Sequence, residues 1–234
     1  LANTHSFAGD SETSLAMIYR SLHATPPEEH LRLGQLFWLA GVQAYRMGFD
    51  RYAMSLSKQA VDEAVLAENY GLVAFNISSL AMIGVSHGEY TAAEQYLTQA
   101  RAARDRVESP GERAILDLTL NLLCSQVRLG MGRLDDAEQC LDRNLGFLTQ
   151  QSKAAPDVFA QTLLQLAQLH SIRGQFELAR QQLRQATEVV EEDDEYLATA
   201  ALRAPFENQR RNLYEVAISF EYDHNGIDTA WSYA

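Results

Sequence analysis

A short polar turn recurs five times along the 234-residue chain and sets the frame for the rest of the sequence. Each copy begins with Gly or Asn and reaches Ala five residues later, with a large apolar residue in between. The copies are Gly48–Ala53, Gly88–Ala93, Gly132–Ala137, Gly174–Ala179 and Asn225–Ala230, at spacings of 40, 44, 42 and 51 residues. Repeats of this length indicate an array of helical hairpins that bury their apolar faces against one another.

Amphipathic runs on both sides of each turn predict the two helices of a hairpin. Thr25 with Glu28, and Ser109 with Glu112, have the spacing of capping boxes, and all five prolines fall at or near the predicted start of a first helix. We therefore divide the chain into an N-terminal cap helix in 1–30, repeats at 31–68, 71–107, 110–149 and 156–190, an irregular acidic or helical insert at 191–204, and an atypical, truncated last repeat at 205–234.

Composition limits the classes of partner. Hydrophobic residues make up 47% of the chain and charged residues 21%, which is typical of a folded domain. The formal net charge of −12 disfavours a nucleic-acid backbone or an anionic membrane as partner, because both attract Lys and Arg. No apolar run is long enough to cross a bilayer. We interpret the sequence, which starts at Leu1 and stops inside an apparent helix, as a fragment of a longer protein.

Cys124 and Cys140 are too few for a disulfide framework and favour a reducing compartment, so we expect a cytoplasmic location. They lie eight residues on either side of Gly132, where we expect buried apolar thiols, with a redox pair as the alternative. The acidic run from Glu188 to Glu195 lacks the turn glycine and ligand order of a calcium loop, and we expect a solvated surface there.

The turns and the small residues around them resemble the tetratricopeptide repeat (TPR). The two small positions of its second helix are matched by Ala53 with Ala60, Ala93 with Ala100, Ala179 with Ala186, and by Ala137 alone, since Asn144 replaces the second. The small position of its first helix is matched by Gly41, Ala81, Ser125 and Ala167. The resemblance covers 31–190 and part of 205–234. It implies an all-α, right-handed α-α superhelix of TPR-like hairpins, in the extended subclass with repeats of about 42 residues.

The last repeat resembles a narrower group. The segments from Phe206 to Ala217 and from Asp228 to Ala234 are similar to the TPR repeats that precede caspase-like CHAT domains in bacterial proteins. This resemblance implies that the chain is the non-catalytic recognition arm of a larger bacterial protein.

The TPR resemblance implies a concave groove, lined by the first helices, that binds a protein or peptide ligand. Aromatic side chains there provide contact area, and amide side chains pair with main-chain groups. The residues that the frame places in this groove are Gln35, Trp38, Val42, Tyr45, Phe75, Ser78, Ser79, Met82, Leu122, Gln126, Gln161, Leu164, Gln165, Gln168, Asn212 and Glu215. For Trp38, Phe75 and Met82 the alternative is ordinary packing between repeats.

Nothing in the sequence points to catalysis. The six histidines are dispersed, and no HExxH motif, P-loop or nucleophile elbow is present. We therefore predict a scaffold that is not an enzyme and uses no cofactor or metal. The alternatives are a ligand- or peptide-sensing regulatory domain and a self-association module that forms homo-oligomers through exposed terminal repeats.

Overall fold

A computed structural model describes residues 11–149, 155–196 and 200–224, with side chains for 12–149, 155–191 and 211–224. Over these ranges the regular secondary structure is entirely α-helical. We number the helices α1 Ser11–Ala24, α2 His30–Arg46, α3 Asp50–Leu66, α4 Tyr70–Ser86, α5 Tyr90–Arg104, α6 Pro110–Gly130, α7 Leu134–Leu148, α8 Pro156–Ile172, α9 Phe176–Tyr196 and α10 Ala200–Asp223. The fifth predicted turn, Asn225–Ala230, and the end of the chain lie outside the described residues.

Two predicted helix starts are wrong. Thr25 does not cap α2: its hydroxyl donates to the carbonyl of Ser21, 2.7 Å away at the end of α1, and α2 begins only at His30. Helix α10 begins at Ala200 and continues through Pro205, so this proline falls in the second turn and not at the start. The capping pattern at Thr25 misled because the hydroxyl of Thr25 bonds to the helix before it.

The other predicted starts agree with the structure. Ser109 caps α6 by accepting the amide of Glu112 at 3.3 Å, and Pro110 is the first helical residue. Pro156 likewise opens α8. The segment 191–204, expected to be an irregular insert, is shared between the end of α9 and the start of α10, with 197–199 outside the described residues.

The glycine that opens each of four turns closes the helix before it. Gly48, Gly88, Gly132 and Gly174 have φ between +72° and +78°, a region that only glycine enters without strain. This conformation directs the next amide back to the helix: the amide of Phe49 donates to the carbonyl of Ala44 at 2.9 Å. At Gly48, Gly88 and Gly174, which lie inside the units, the chain reverses within two residues, so the following helix begins beside the one just ended.

The helices form two compact units, one of residues 1–131 with α1–α6 and one of residues 132–234 with α7–α10. In both units the predicted small positions are fully buried, with no exposed surface on Ala53, Ala60, Ala93, Ala100, Ala137, Ala179 or Ala186. At Gly41 an added Cβ would lie 3.4 Å from the carbonyl oxygen of Ala53, so the two backbones nearly touch there. In the second unit Asn144 replaces the small residue and places its Nδ2 3.5 Å from the hydroxyl of Thr162.

Successive hairpins are linked by side chains at one repeated position, six residues after the turn glycine. This position holds Met54, Glu94, Glu138 and Arg180. Met54 packs against the apolar cluster that includes Ile83. Glu94 pairs with Arg128 of α6 in the first unit, and Glu138 accepts from Arg173 of α8 at 2.7 Å in the second. The first link is therefore apolar, and the next two are pairs of a carboxylate with a guanidinium.

The link between α9 and α10 reverses the sign of the charges. Arg180 donates through Nε to both carboxylate oxygens of Glu221, at 2.8 and 3.0 Å, and Glu221 is only 1% exposed. The pair occupies the same frame positions as Glu94 and Arg128, with cation and anion exchanged. Hydrogen bonds from Arg180 to Glu221 and Glu177 raise the pKa of the guanidinium, which keeps the cation charged. Placing α10 against Glu138 would oppose two carboxylates, so the exchanged charges favour the pairing of α10 with α9.

Gly88→Ala should lower the free energy of unfolding by about 1–2 kcal/mol, because an L-residue is strained at φ +73°. The matched control is Gly146→Ala on the exposed surface of α7, where an added Cβ meets no atom within 4 Å. That variant should gain about 0.5–1 kcal/mol from better helix propensity. Urea denaturation measures both, and equal effects of the two changes would contradict the role of the turn glycine.

Arg180→Met should destabilise the protein by about 3–5 kcal/mol, because it leaves the buried carboxylate of Glu221 without its partner. The double variant Arg180→Met with Glu221→Met should recover most of that loss. Glu177→Gln is the control: Glu177 also binds Arg180, but its side chain is 87% exposed, so we expect a change below about 0.5 kcal/mol. Thermal and urea unfolding would contradict this assignment if the single and double variants were equally unstable.

Candidate peptide-binding surface

Helix α4 combines a buried body with an exposed apolar stripe. It contains no charged residue, and ten of its 17 residues are buried. Phe75 and Met82 are nevertheless 38% and 43% exposed, and Ser79 lies between them half-buried. The spacing of four and then three residues places all three on one face of the helix. An exposed stripe on so apolar a helix is a candidate contact for another molecule.

Helix α2 contributes a second stripe next to the first. Trp38, Val42 and Tyr45 are half-buried, Gln35 is exposed, and their spacing places the four on one face. The Trp38 and Phe75 rings meet edge to face, with centroids 5.2 Å apart and planes at 66°. This contact joins the two stripes. We call the surface formed by Gln35, Trp38, Val42, Tyr45, Phe75, Ser79 and Met82 the α2/α4 surface.

The serine hydroxyls of α4 use their protons within the helix. Ser78 donates to the carbonyl of Ala74 at 2.8 Å, and Ser79 donates to the carbonyl of Phe75 at 3.3 Å. Ser78 is also buried, with 6% of its surface exposed. The α2/α4 surface is therefore mainly an apolar contact area, and its amide group Gln35 lies at one end of the α2 stripe.

The other predicted groove residues divide between the two units. In α6 of the first unit, Leu122 is 7% exposed and Gln126 is half-buried. In α8 of the second unit, Gln161 is half-buried, Gln168 is exposed and Gln165 is 6% exposed. The buried residues Ser78, Leu122, Leu164 and Gln165 offer a ligand little surface. In α10, Asn212 and Glu215 are exposed.

The side-chain amide of Gln165 has an unpaired oxygen that its position in the repeat frame did not predict. Its Oε1 is buried and has no hydrogen-bond partner in the structure. Gln161, Gln165 and Gln168 share one face of α8 through spacings of four and three residues. This face can donate and accept hydrogen bonds without carrying charge.

Two buried polar side chains of the first unit are unsatisfied. Asn76 is fully buried, and neither its Oδ1 nor its Nδ2 has a hydrogen-bond partner. Ser125 is also fully buried, and its Oγ has no hydrogen-bond partner. In the repeat frame, Leu36 and Leu120 occupy the position of Asn76, and Gly41, Ala81 and Ala167 occupy that of Ser125. The fold therefore accommodates apolar residues of similar or smaller size at both positions.

The titratable groups of the second unit make structural contacts. His170 is 8% exposed, and its Nδ1 lies 2.7 Å from Oε1 of Gln175. Partial burial and the nearby Glu138 raise the pKa of Asp142, while His170 opposes the shift.

In the described part of the chain no three His, Cys, Asp or Glu side chains are grouped as a metal site would require. No described helix is long and apolar enough to cross a membrane.

The expectation of free buried thiols is wrong. Cys124 and Cys140 are buried as predicted, with 2% and 4% of their surfaces exposed, but neither is a free thiol. The sequence frame placed both residues in helix interiors but could not show their covalent state. The cysteines therefore no longer support a reducing compartment.

Comparison with solved structures shows a TPR-like fold. A crystal structure from Podospora anserina, of a protein described as a kinesin light chain with nearly identical TPR-like repeats, aligns with a TM-score of 0.60. The alignment has 14% sequence identity and covers 83% of this chain and 93% of that chain. Searches of family models and of curated proteins gave no match. The predicted all-α fold of TPR-like hairpins is thus confirmed, while the CHAT association and the 42-residue subclass stay predictions.

Asn76→Leu should raise the free energy of unfolding by about 1–3 kcal/mol, because it removes a buried amide that lacks partners. Ser125→Ala should stabilise in the same direction by a smaller amount. The control is Thr162→Val, because the hydroxyl of Thr162 is buried but donates to the carbonyl of Val158 at 2.7 Å, and we expect this change to destabilise. Urea denaturation that shows Asn76→Leu to be destabilising would contradict the unsatisfied state of Asn76.

Proposed function

We propose that the chain is a protein-interaction scaffold and that the α2/α4 surface binds a segment of another protein. The observation that supports this most strongly is the exposure of Phe75 and Met82 on α4, a helix with no charged residue. The free energy falls when a partner covers an apolar side chain at a protein surface, because the side chain is removed from water. The edge-to-face contact of Trp38 with Phe75 holds both rings in place, so little side-chain entropy is lost on binding.

The face of α8 in the second unit suits a different kind of contact. Gln161 is half-buried and Gln168 is exposed, and their side-chain amides offer a ligand neutral donors and acceptors. We propose that this face pairs with polar or main-chain groups of a bound protein. Asn212 and Glu215 of α10 belong to the same proposal as exposed polar contacts.

The finer parts of the proposal rest on sequence. The similarity of the last repeat to TPR repeats before CHAT domains supports a role as the recognition arm of a larger bacterial protein. The net charge of −12 supports a protein partner over a nucleic acid. A cytoplasmic location stays a prediction. The alternatives, a sensing domain and a self-association module, are distinguished by measuring the oligomeric state at several concentrations with and without a bound peptide.

A random-peptide library selected on the protein tests the proposed function. Met82→Glu should weaken the selected peptides at least 10-fold, or about 1.4 kcal/mol, because it places a charge in the apolar contact. Tyr222→Glu on α10 is the control: Tyr222 is 70% exposed, so the same kind of change outside the surface should leave affinity within about twofold. Peptides that bind both variants like the parent protein would contradict the α2/α4 surface as the binding site.

A further inference from the structure

We infer that the α2/α4 surface receives the apolar face of an amphipathic α-helix with basic residues on its outer side, and not an extended peptide. The inference deepens the proposed function and rests on it. It follows from three features of the surface: its few hydrogen-bonding groups, the spacing of its stripes and its lack of charge.

An extended peptide brings main-chain N–H and C=O groups against the surface, and each group that loses water without a partner costs free energy. The α2/α4 surface offers few such partners. The hydroxyl protons of Ser78 and Ser79 are donated to α4 itself, and the amide of Asn76 is fully buried. Gln35 is the exposed amide on α2, at the end of its stripe. A helix satisfies its own main chain and needs only apolar contact.

The stripes have the periodicity that a docked helix uses. On α4 the exposed apolar residues Phe75 and Met82 are seven positions apart, or about 10.5 Å at a rise of 1.5 Å per residue. That length matches two turns of a second helix with anchors at i, i+3 or i+4, and i+7. Trp38 and Val42 provide the neighbouring stripe, joined to the first by the contact of Trp38 with Phe75. The surface is thus two helices wide and about two turns long.

The charge of the protein favours particular residue types on the polar face of the bound helix. The seven residues of the surface are uncharged, whereas the unit that carries them, residues 1–131, holds 14 acidic and 10 basic residues, a net charge of −4. The contacting side of the partner must therefore be apolar, because a charge there would lose water without gaining a partner. On the outer side of the partner, Lys and Arg are attracted by the acidic protein, which raises the rate of association. Asp and Glu there are repelled, which lowers it.

Peptides selected on the protein test this inference when each is compared with two variants. One variant has Pro at a central position that does not contact the protein, and the other has Glu in place of each Lys and Arg. In a Trp231→Phe background Trp38 is the remaining tryptophan, so its fluorescence reports binding at this surface. We expect the Pro variant to bind at least 10-fold more weakly. We also expect the Glu variant to bind several-fold more weakly at low salt, with a smaller difference at high salt.

The outcomes separate the inference from the proposed function. Peptides whose affinity depends on Met82 but tolerates Pro within about threefold would show an extended occupant, which overturns the inference and leaves the proposed function intact. Glu variants that bind as tightly as the parent peptides at low salt would overturn the basic outer face. If no selected peptide responds to Met82→Glu, the proposed function fails, and the inference fails with it.

Discussion

The left-handed glycine at the ends of α2, α4, α6 and α8 is the constraint on which the hairpins depend. Glycine takes this conformation at positions such as Gly48, and the next amide then closes the helix by bonding back to it, as Phe49 does to Ala44. The reversal brings two helices together at a distance that only small residues such as Gly41 and Ala53 allow. One backbone conformation and one size restriction, repeated every 40–44 residues, thus produce the hairpins of both units.

Repetition alone would allow a hairpin to pack against the wrong neighbour, because the hairpins are similar. The position six residues after each turn glycine reduces this ambiguity. It holds an apolar residue, two acids and then a base, and the base Arg180 is matched by the buried acid Glu221. A buried pair of this kind contributes little net stability but makes wrong pairings costly. The orphaned amide of Asn76 has no such partner, and nothing in the structure explains why it is kept.

The candidate surface could be predicted in part. Spacing from the turn glycine identified Trp38, Val42, Tyr45 and Met82 as residues of one face, because a regular helix fixes which residues share a side. It could not separate exposed from buried members: Met82 is 43% exposed, whereas Ser78 and Leu122, from the same pattern, are 6% and 7% exposed. Exposure depends on the side chains of neighbouring helices, and these differ from one repeat to the next.

The sequence by itself determined the fold class, the turns and most helix bounds, because these follow from short-range effects: the conformation of glycine, the periodicity of apolar residues and the size of alanine. The tertiary structure decided where one helix begins and which side chains contact each other. It moved the start of α2 to His30, paired Arg180 with Glu221, left Asn76 without partners and joined Trp38 to Phe75. Arg180 and Glu221 are 41 positions apart, and Trp38 and Phe75 are 37 apart, so these pairs meet only after the hairpins pack, and no local pattern records which side chains will face each other.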